Sequence, residues 1–144
     1  MKLFGRSKGE NYFKHPSRAR QAFDFSKLLY GENKSAMDID GYIDWRAKRV
    51  DFFFEMKYLD APMPDGQRYG YEHLVKDGRV AGMESYALVC EHDVVNPQEV
   101  VDASTTRIRE YFDGKEWHKL NGCTCKEFTD DMWVKHGGTL AYQT

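Results

Sequence analysis

Several materials that often decide a protein's class are scarce in this chain of 144 residues. Cysteine occurs only as Cys90, Cys123 and Cys125. An odd count without paired spacing suggests no disulfide framework and suits a reducing, cytoplasmic setting. No apolar run approaches the roughly 20 residues that a membrane-crossing helix needs. The stretch MKLFGRSKGENYFKHPSRAR has no apolar centre and no small-residue cleavage site, so no signal peptide is expected. Internal repeats and low-complexity tracts are absent. So is a strong excess of charge of one sign: the net charge is −2, which argues against a generally basic nucleic-acid binder.

What is present suits a folded domain with one core: 41% hydrophobic and 31% charged residues. Charge is unevenly placed. Residues 1–36 hold eight Lys or Arg and three acids, and the rest holds thirteen bases and twenty acids. A basic arm beside an acidic body fits contact with a polyanion through one face, and fits a solubilising surface equally well. Residues 1–15 lack a period and are expected to be a flexible basic arm, followed by one domain over 16–144.

Apolar spacing in PSRARQAFDFSKLLY predicts an amphipathic helix over 16–30 with Ser17 as its N-cap. Residues 37–45 and 50–58 alternate as strands, and the short link RAKR predicts an antiparallel hairpin. Val50, Phe52, Phe54, Met56 and Tyr58 fall on one face of the second strand; Asp51, Phe53, Glu55 and Lys57 fall on the other. GQRYGYEHLVKDG reads as a helix closed by Gly78, and ESYALVCEH as an apolar strand. TTRIREYFDGKEWHKL reads as a hairpin turning at Asp113-Gly114. CKEFTDDMWVKHGG reads as a closing helix with Gly137 as its C-cap. The order α-β-β-α-β-β-β-α is that of a mixed α/β domain.

The hairpin gathers the charges. A turn centred between Ala47 and Lys48 sets Asp40 opposite Glu55 and bisects the link; one centred on Arg46-Ala47 sets Asp38 there instead, and one centred on Arg49-Val50 sets Asp44 there and shortens the second strand. Cross-strand neighbours lie about 4.5–5.5 Å apart at Cβ. Two carboxylates that close repel, and either one is protonated or a cation intervenes. Magnesium takes one or two carboxylates plus waters and phosphate oxygens. Asp40 and Glu55 supply such a pair, and the Met56 carbonyl offers a third ligand. Lys57 shares the strand face of Glu55, where it could orient or deprotonate a water or neutralise phosphate charge.

Asp40, then Glu55-Met56-Lys57 on an apolar strand, then a helix led by Gln67 resembles the PD-(D/E)XK nuclease superfamily, in particular small phage-encoded, virus-type replication-repair and junction-resolving nucleases. The resemblance covers residues 16–92; residues 100–144 carry no recognisable match and read as a C-terminal elaboration. It implies a restriction-endonuclease-like mixed sheet flanked by helices and Mg²⁺- or Mn²⁺-dependent hydrolysis of DNA phosphodiesters. It also implies catalytic roles for Asp40, Glu55, Lys57 and Gln67, and metal ligation by Asp40, Glu55 and the Met56 carbonyl, aided by Asp38. Arg18, Arg20 and Lys27 would track the DNA backbone. A phage or mobile-element source is implied, and relatives of this kind are often homodimers.

Bland readings stand beside these. The charged face could be a solvated cross-strand ion pair, although Phe53 shares it. Cys123-x-Cys125 and the histidines lack the paired spacing of structural zinc, so the cysteines are expected as small core residues. His92 is expected as a satisfied strand-end histidine. Tyr69, Tyr71, Tyr111 and Trp117 could stack on bases, with core packing the default. A different functional class fits too: a non-catalytic interaction protein on the same fold, whose acidic body binds a basic partner or inhibits a nucleic-acid-processing complex.

Overall fold

The run Phe52-Phe53-Phe54 puts apolar side chains on both faces of the strand at 50–58, and a strand of that kind belongs in the middle of a sheet. The computed structural model describes residues 24–29 and 37–140 and places it so. The strands are β1 (Gly41–Trp45), β2 (Val50–Tyr58), β3 (Glu84–His92), β4 (Arg107–Phe112) and β5 (Trp117–Lys119). They form one five-stranded sheet in the order β1-β2-β3-β4-β5. β2 and β3 run parallel; the other neighbours are antiparallel. Helices α1 (Asp65–Val80) and α2 (Cys125–Lys135) complete a mixed α/β unit within Met37–Thr144, and Met1–Ala36 forms a separate unit. No helix among the described residues is long and apolar enough to cross a membrane.

The two faces of β2 feed two cores. Val50, Phe52 and Phe54 pack with Tyr86, Leu88, Cys90 and Ile108 beneath Cys125, Phe128 and Met132 of α2. On the opposite face Phe53, Ala87, Val89 and Phe112 pack with Tyr71, Leu74 and Val75 of α1. The α2 side is the more aromatic. Phe52 stacks on Tyr86 and meets Trp45 edge-on, and Trp45 meets Trp133. Thr124 caps α2 by accepting the Glu127 N–H while the Glu127 side chain accepts the Thr124 N–H, a capping box. All three cysteines are free thiols; Cys90 and Cys125 are buried in the core.

The hairpin register pairs Gly41 with Phe54 and Trp45 with Val50, the register that centres the turn between Ala47 and Lys48. That link is one 3₁₀ turn, Arg46–Lys48, closed by Arg49 in the left-handed region at φ 58°. Such a backbone is unfavourable for arginine. Its guanidinium is tied down by the carbonyls of Ala81 (2.8 Å) and Gly82 (3.1 Å).

Four expectations are corrected. Residues 24–29, inside the expected helix 16–30, form a turn in which Leu28 N–H donates to the Phe25 carbonyl. Asp24 accepts the Ser26 N–H at 2.9 Å, a local bond that competes with helix formation. The rest of that helix lies outside the described residues. The first strand of the hairpin begins at Gly41 instead of residue 37, because the chain bends at Asp40. α1 begins at Asp65, ahead of the expected Gly66 and Gln67. Pro64 at its N-cap has a fixed φ suited to a helix start, and Asp65 adds a negative charge to the first turn. Gly78 does not close α1 but lies within it. A Cβ there would meet Ser85 Oγ, so the glycine permits close helix–strand packing, and the chain turns at Gly82 with φ +89°. Gly137, at φ +83°, follows the α2 cap residue His136.

Candidate active site

Asp40 sits where β1 runs out. Its N–H donates to the Phe54 carbonyl at 3.2 Å, one residue out of step with the ladder, and this turns the side chain inward. Asp40 Oδ2 then accepts the Met56 N–H at 2.7 Å, a bond a further β1 residue would otherwise have made. In an extended strand the N–H and carbonyl of one residue share an edge, so the Met56 carbonyl lies on the Asp40 side too. Asp40 is exposed, whereas Glu55 is 4% exposed, so the pair runs from solvent into the sheet.

Glu55 is held from three sides. Its Oε2 accepts from Tyr71 Oη at 3.1 Å, and its Oε1 lies 3.7 Å from Lys57 Nζ. The Asp40 carboxylate acts on it through a hydrogen bond and its negative charge. Burial, then the hydrogen bond and negative charge of Asp40, push the Glu55 carboxyl up to about 7; Lys57 and Tyr71 pull only partly against this. Near neutral pH the Glu55 carboxyl is therefore only partly ionised, and a cation beside it would displace its proton.

Lys57 is 16% exposed at its side chain and donates to Gln67 Oε1 at 2.9 Å. Gln67 lies in the first turn of α1, and Tyr71 follows one turn later on the same helix face. One helix thus presents an acceptor to the lysine and a donor to the glutamate. Tyr71 is 1% exposed, and its hydroxyl also lies 3.2 Å from the Phe54 carbonyl and 3.4 Å from that of Asp38. Burial, and then the Glu55 charge, raise its pKa well above the ordinary phenol value, so it stays a phenol, hence a donor.

The structure therefore brings Asp40, Glu55, Lys57, Gln67 and the Met56 backbone together. Asp38 is exposed and meets the cluster through its backbone carbonyl. Lys27 is exposed in the turn at 24–29, and Arg18 and Arg20 lie outside the described residues. Among the described residues no three His, Cys, Asp or Glu side chains converge on one ion. An ion here would take two carboxylates and draw the rest of its shell from a carbonyl, water and phosphate, the mixture magnesium prefers. Tyr71 is the member that sequence reading passed over: its spacing of four from Gln67 was the available signal, but an aromatic in a helix reads first as core.

Nearby polar groups are already used. Asp51, also buried, accepts from Tyr42 Oη at 2.8 Å and from Ser85 Oγ. Arg68 makes a two-pronged bond to Glu110 at 2.9 and 3.0 Å and lies over the Trp117 ring. His118 pairs with Asp113, and His92 Nδ1 accepts the Val94 N–H, so neither histidine serves a cysteine. No protein-family model matches the chain, and no curated protein or solved structure matches it significantly.

Proposed function

We propose that the chain is a metal-dependent deoxyribonuclease of the PD-(D/E)XK kind, with a restriction-endonuclease-like core, that hydrolyses phosphodiester bonds in DNA. The observation that carries this reading is the buried Glu55 carboxyl facing Asp40, with its affinity for a proton raised into the neutral range. A site whose carboxyl holds its proton so tightly beside a second carboxylate is electrostatically short of positive charge. Mg²⁺ or Mn²⁺ meets that need, held by Asp40, Glu55 and the Met56 carbonyl. Once bound, the ion neutralises charge on the phosphate and makes a water more acidic.

The chain's own groups supply the rest. Lys57 Nζ stands between Glu55 and Gln67, where it can hold the attacking water or offset charge on a phosphate oxygen. Gln67 is a positioning residue: it fixes the lysine without touching the carboxylates. Tyr71 fixes the Glu55 rotamer through Oε2 and leaves Oε1 toward Lys57. The basic residues Arg18, Arg20 and Lys27 are proposed to hold the DNA backbone. A homodimer is the assembly this reading favours.

Metal-dependent cleavage of plasmid and single-stranded DNA tests the proposal, wild type against Glu55→Gln and Lys57→Ala. Cleavage that needs Mg²⁺ or Mn²⁺, disappears in Glu55→Gln and falls steeply in Lys57→Ala supports it. No cleavage with any metal, together with no metal binding by calorimetry, would leave the Asp40–Glu55 pair a structural contact on an acidic interaction protein.

A further inference from the structure

Residues 59–64 join the two elements that build the site. They follow Lys57 and Tyr58 of β2 and lead into α1, which carries Gln67 and Tyr71. Where this link leaves the strand, Leu59 takes the left-handed region at φ 48°, a backbone unfavourable for leucine. Its N–H donates to the His92 carbonyl at 2.8 Å. Toward the other end, Met63 is buried in the core on the α1 side. Between these points one guanidinium holds the link: Arg109 Nη2 donates to the Leu59 carbonyl and Nη1 to the Ala61 carbonyl, both at 2.8 Å.

Arg109 reaches the link because β4 is irregular there. Val89 of β3 pairs with Glu110, and Cys90 with Ile108, so Arg109 is one residue extra in β4, a β-bulge. The bulge turns Arg109 and Glu110 to the same face of the sheet, that of α1. Glu110 takes Arg68 of α1, and Arg109 Nε donates to Glu91 at 2.6 Å. Glu91 is the ladder partner of Lys57, one strand spacing of about 4.8 Å away at the backbone. A lysine beside a free carboxylate is drawn to it. Arg109 occupies Glu91, and Lys57 is left to Glu55 at 3.7 Å and to Gln67 at 2.9 Å.

We propose that Arg109 is a positioning residue for Lys57. Its fork fixes the link that sets α1, and with it Gln67, against β2, and it holds the Glu91 carboxylate away from the lysine. A planar guanidinium does this because it binds three acceptors on two elements at once, which a single ammonium does not. The proposal rests on the nuclease reading for the part Lys57 plays in the reaction, while the placing of the lysine stands on the geometry alone. The segment 100–144, which the nuclease resemblance does not cover, thereby contributes to the site.

Nitrogen-edited NMR of the lysine ammonium groups, recorded on the full chain in EDTA, separates this proposal from the nuclease reading. Lys57 should give a slowly exchanging ammonium signal, assigned by its absence from Lys57→Ala. Gln67→Ala, Arg109→Ala and Arg109→Lys should each shift or broaden that signal. Arg109→Lys keeps a charge for Glu91 but loses the hold on both carbonyls, and it carries the test if circular dichroism shows Arg109→Ala unfolded. In cleavage with Mg²⁺, the Arg109 variants should lower kcat about 10- to 100-fold, with KM for DNA and the metal affinity by calorimetry unchanged. A Lys57 signal absent from wild type, or left in place by the Arg109 substitutions while only Tm falls, overturns the proposal. A chain whose Lys57 signal moves but that cuts nothing with any metal keeps the positioning and loses the nuclease reading; one that cuts at the wild-type kcat without Arg109 does the reverse.

Discussion

Replacing Glu55 with glutamine should make this protein more stable at alkaline pH while removing its metal site. The folded-state carboxyl titrates at about 7, against an ordinary value of 4.5. Because the folded value is the higher one, the folded chain binds the Glu55 proton more tightly than the unfolded chain does. That stabilisation is fully present below pH 4.5 and is lost as pH rises through about 7. The loss is on the order of 3 kcal/mol at 1.4 kcal/mol per pH unit, and it is not discounted for screening because Glu55 is 4% exposed. Glutamine carries no charge to desolvate. Its carbonyl can still accept from Tyr71, and its amide can donate to Asp40. Thermal melts of both proteins between pH 4.5 and 8.5 in EDTA check this. The difference in Tm should grow from near zero to roughly 6–12 °C in favour of Glu55→Gln, at about 2–4 °C per kcal/mol for a domain near this size. Mg²⁺ at pH 8 should then raise the wild-type Tm and leave the variant where it is, since only a ligand of the folded state stabilises it. Parallel pH profiles for the two proteins would refute the picture of a carboxylate short of positive charge.

Other perturbations follow from the same geometry. Tyr71→Phe removes a bond that holds the Glu55 carboxyl down, so the acid limb of the pH–rate profile should move to higher pH with the fold intact by circular dichroism. Lys57→Ala should reduce kcat by about 10²- to 10⁴-fold, the range for loss of a positioned proton-transfer group, with little change in metal affinity by calorimetry. Gly78→Ala drives a methyl into Ser85 Oγ and should cost about 1–3 kcal/mol in urea unfolding. Thr124→Ala breaks the α2 capping box and should cost about 1 kcal/mol by the same measurement.

Much of the sheet and site geometry was legible because strand alternation and a short link together leave few registers. Once Val50, Phe52 and Phe54 face one core, Glu55 and Lys57 must face the other way, and a turn that bisects the four-residue link favours Asp40 over Asp38 and Asp44 as their neighbour. Long-range packing was not legible. The sequence around Gly78 looks like a helix end, because nothing local shows that Ser85 will press against the helix there. Tyr71 reads as core, and it is core; its hydroxyl acquires a role only because β2 passes beneath α1 at Glu55. The bend at Asp40 is invisible for a similar reason: an aspartate among alternating residues looks like one more strand position, and only the Met56 N–H left unpaired by the end of β1 gives its carboxylate a reason to turn inward. The turn at Asp24 was masked by apolar spacing that fits a helix. The local Asp24–Ser26 bond decides against one.

The most direct measurement is cleavage of supercoiled and single-stranded DNA by wild type, Glu55→Gln and Lys57→Ala, each with Mg²⁺, with Mn²⁺ and in EDTA. The account predicts cleavage by wild type with either metal, none in EDTA, none by Glu55→Gln, and cleavage slowed by about 10²- to 10⁴-fold in Lys57→Ala, although both variants remain folded. Cleavage by Glu55→Gln at the wild-type rate, or a wild type that neither cuts DNA nor binds metal, would contradict it.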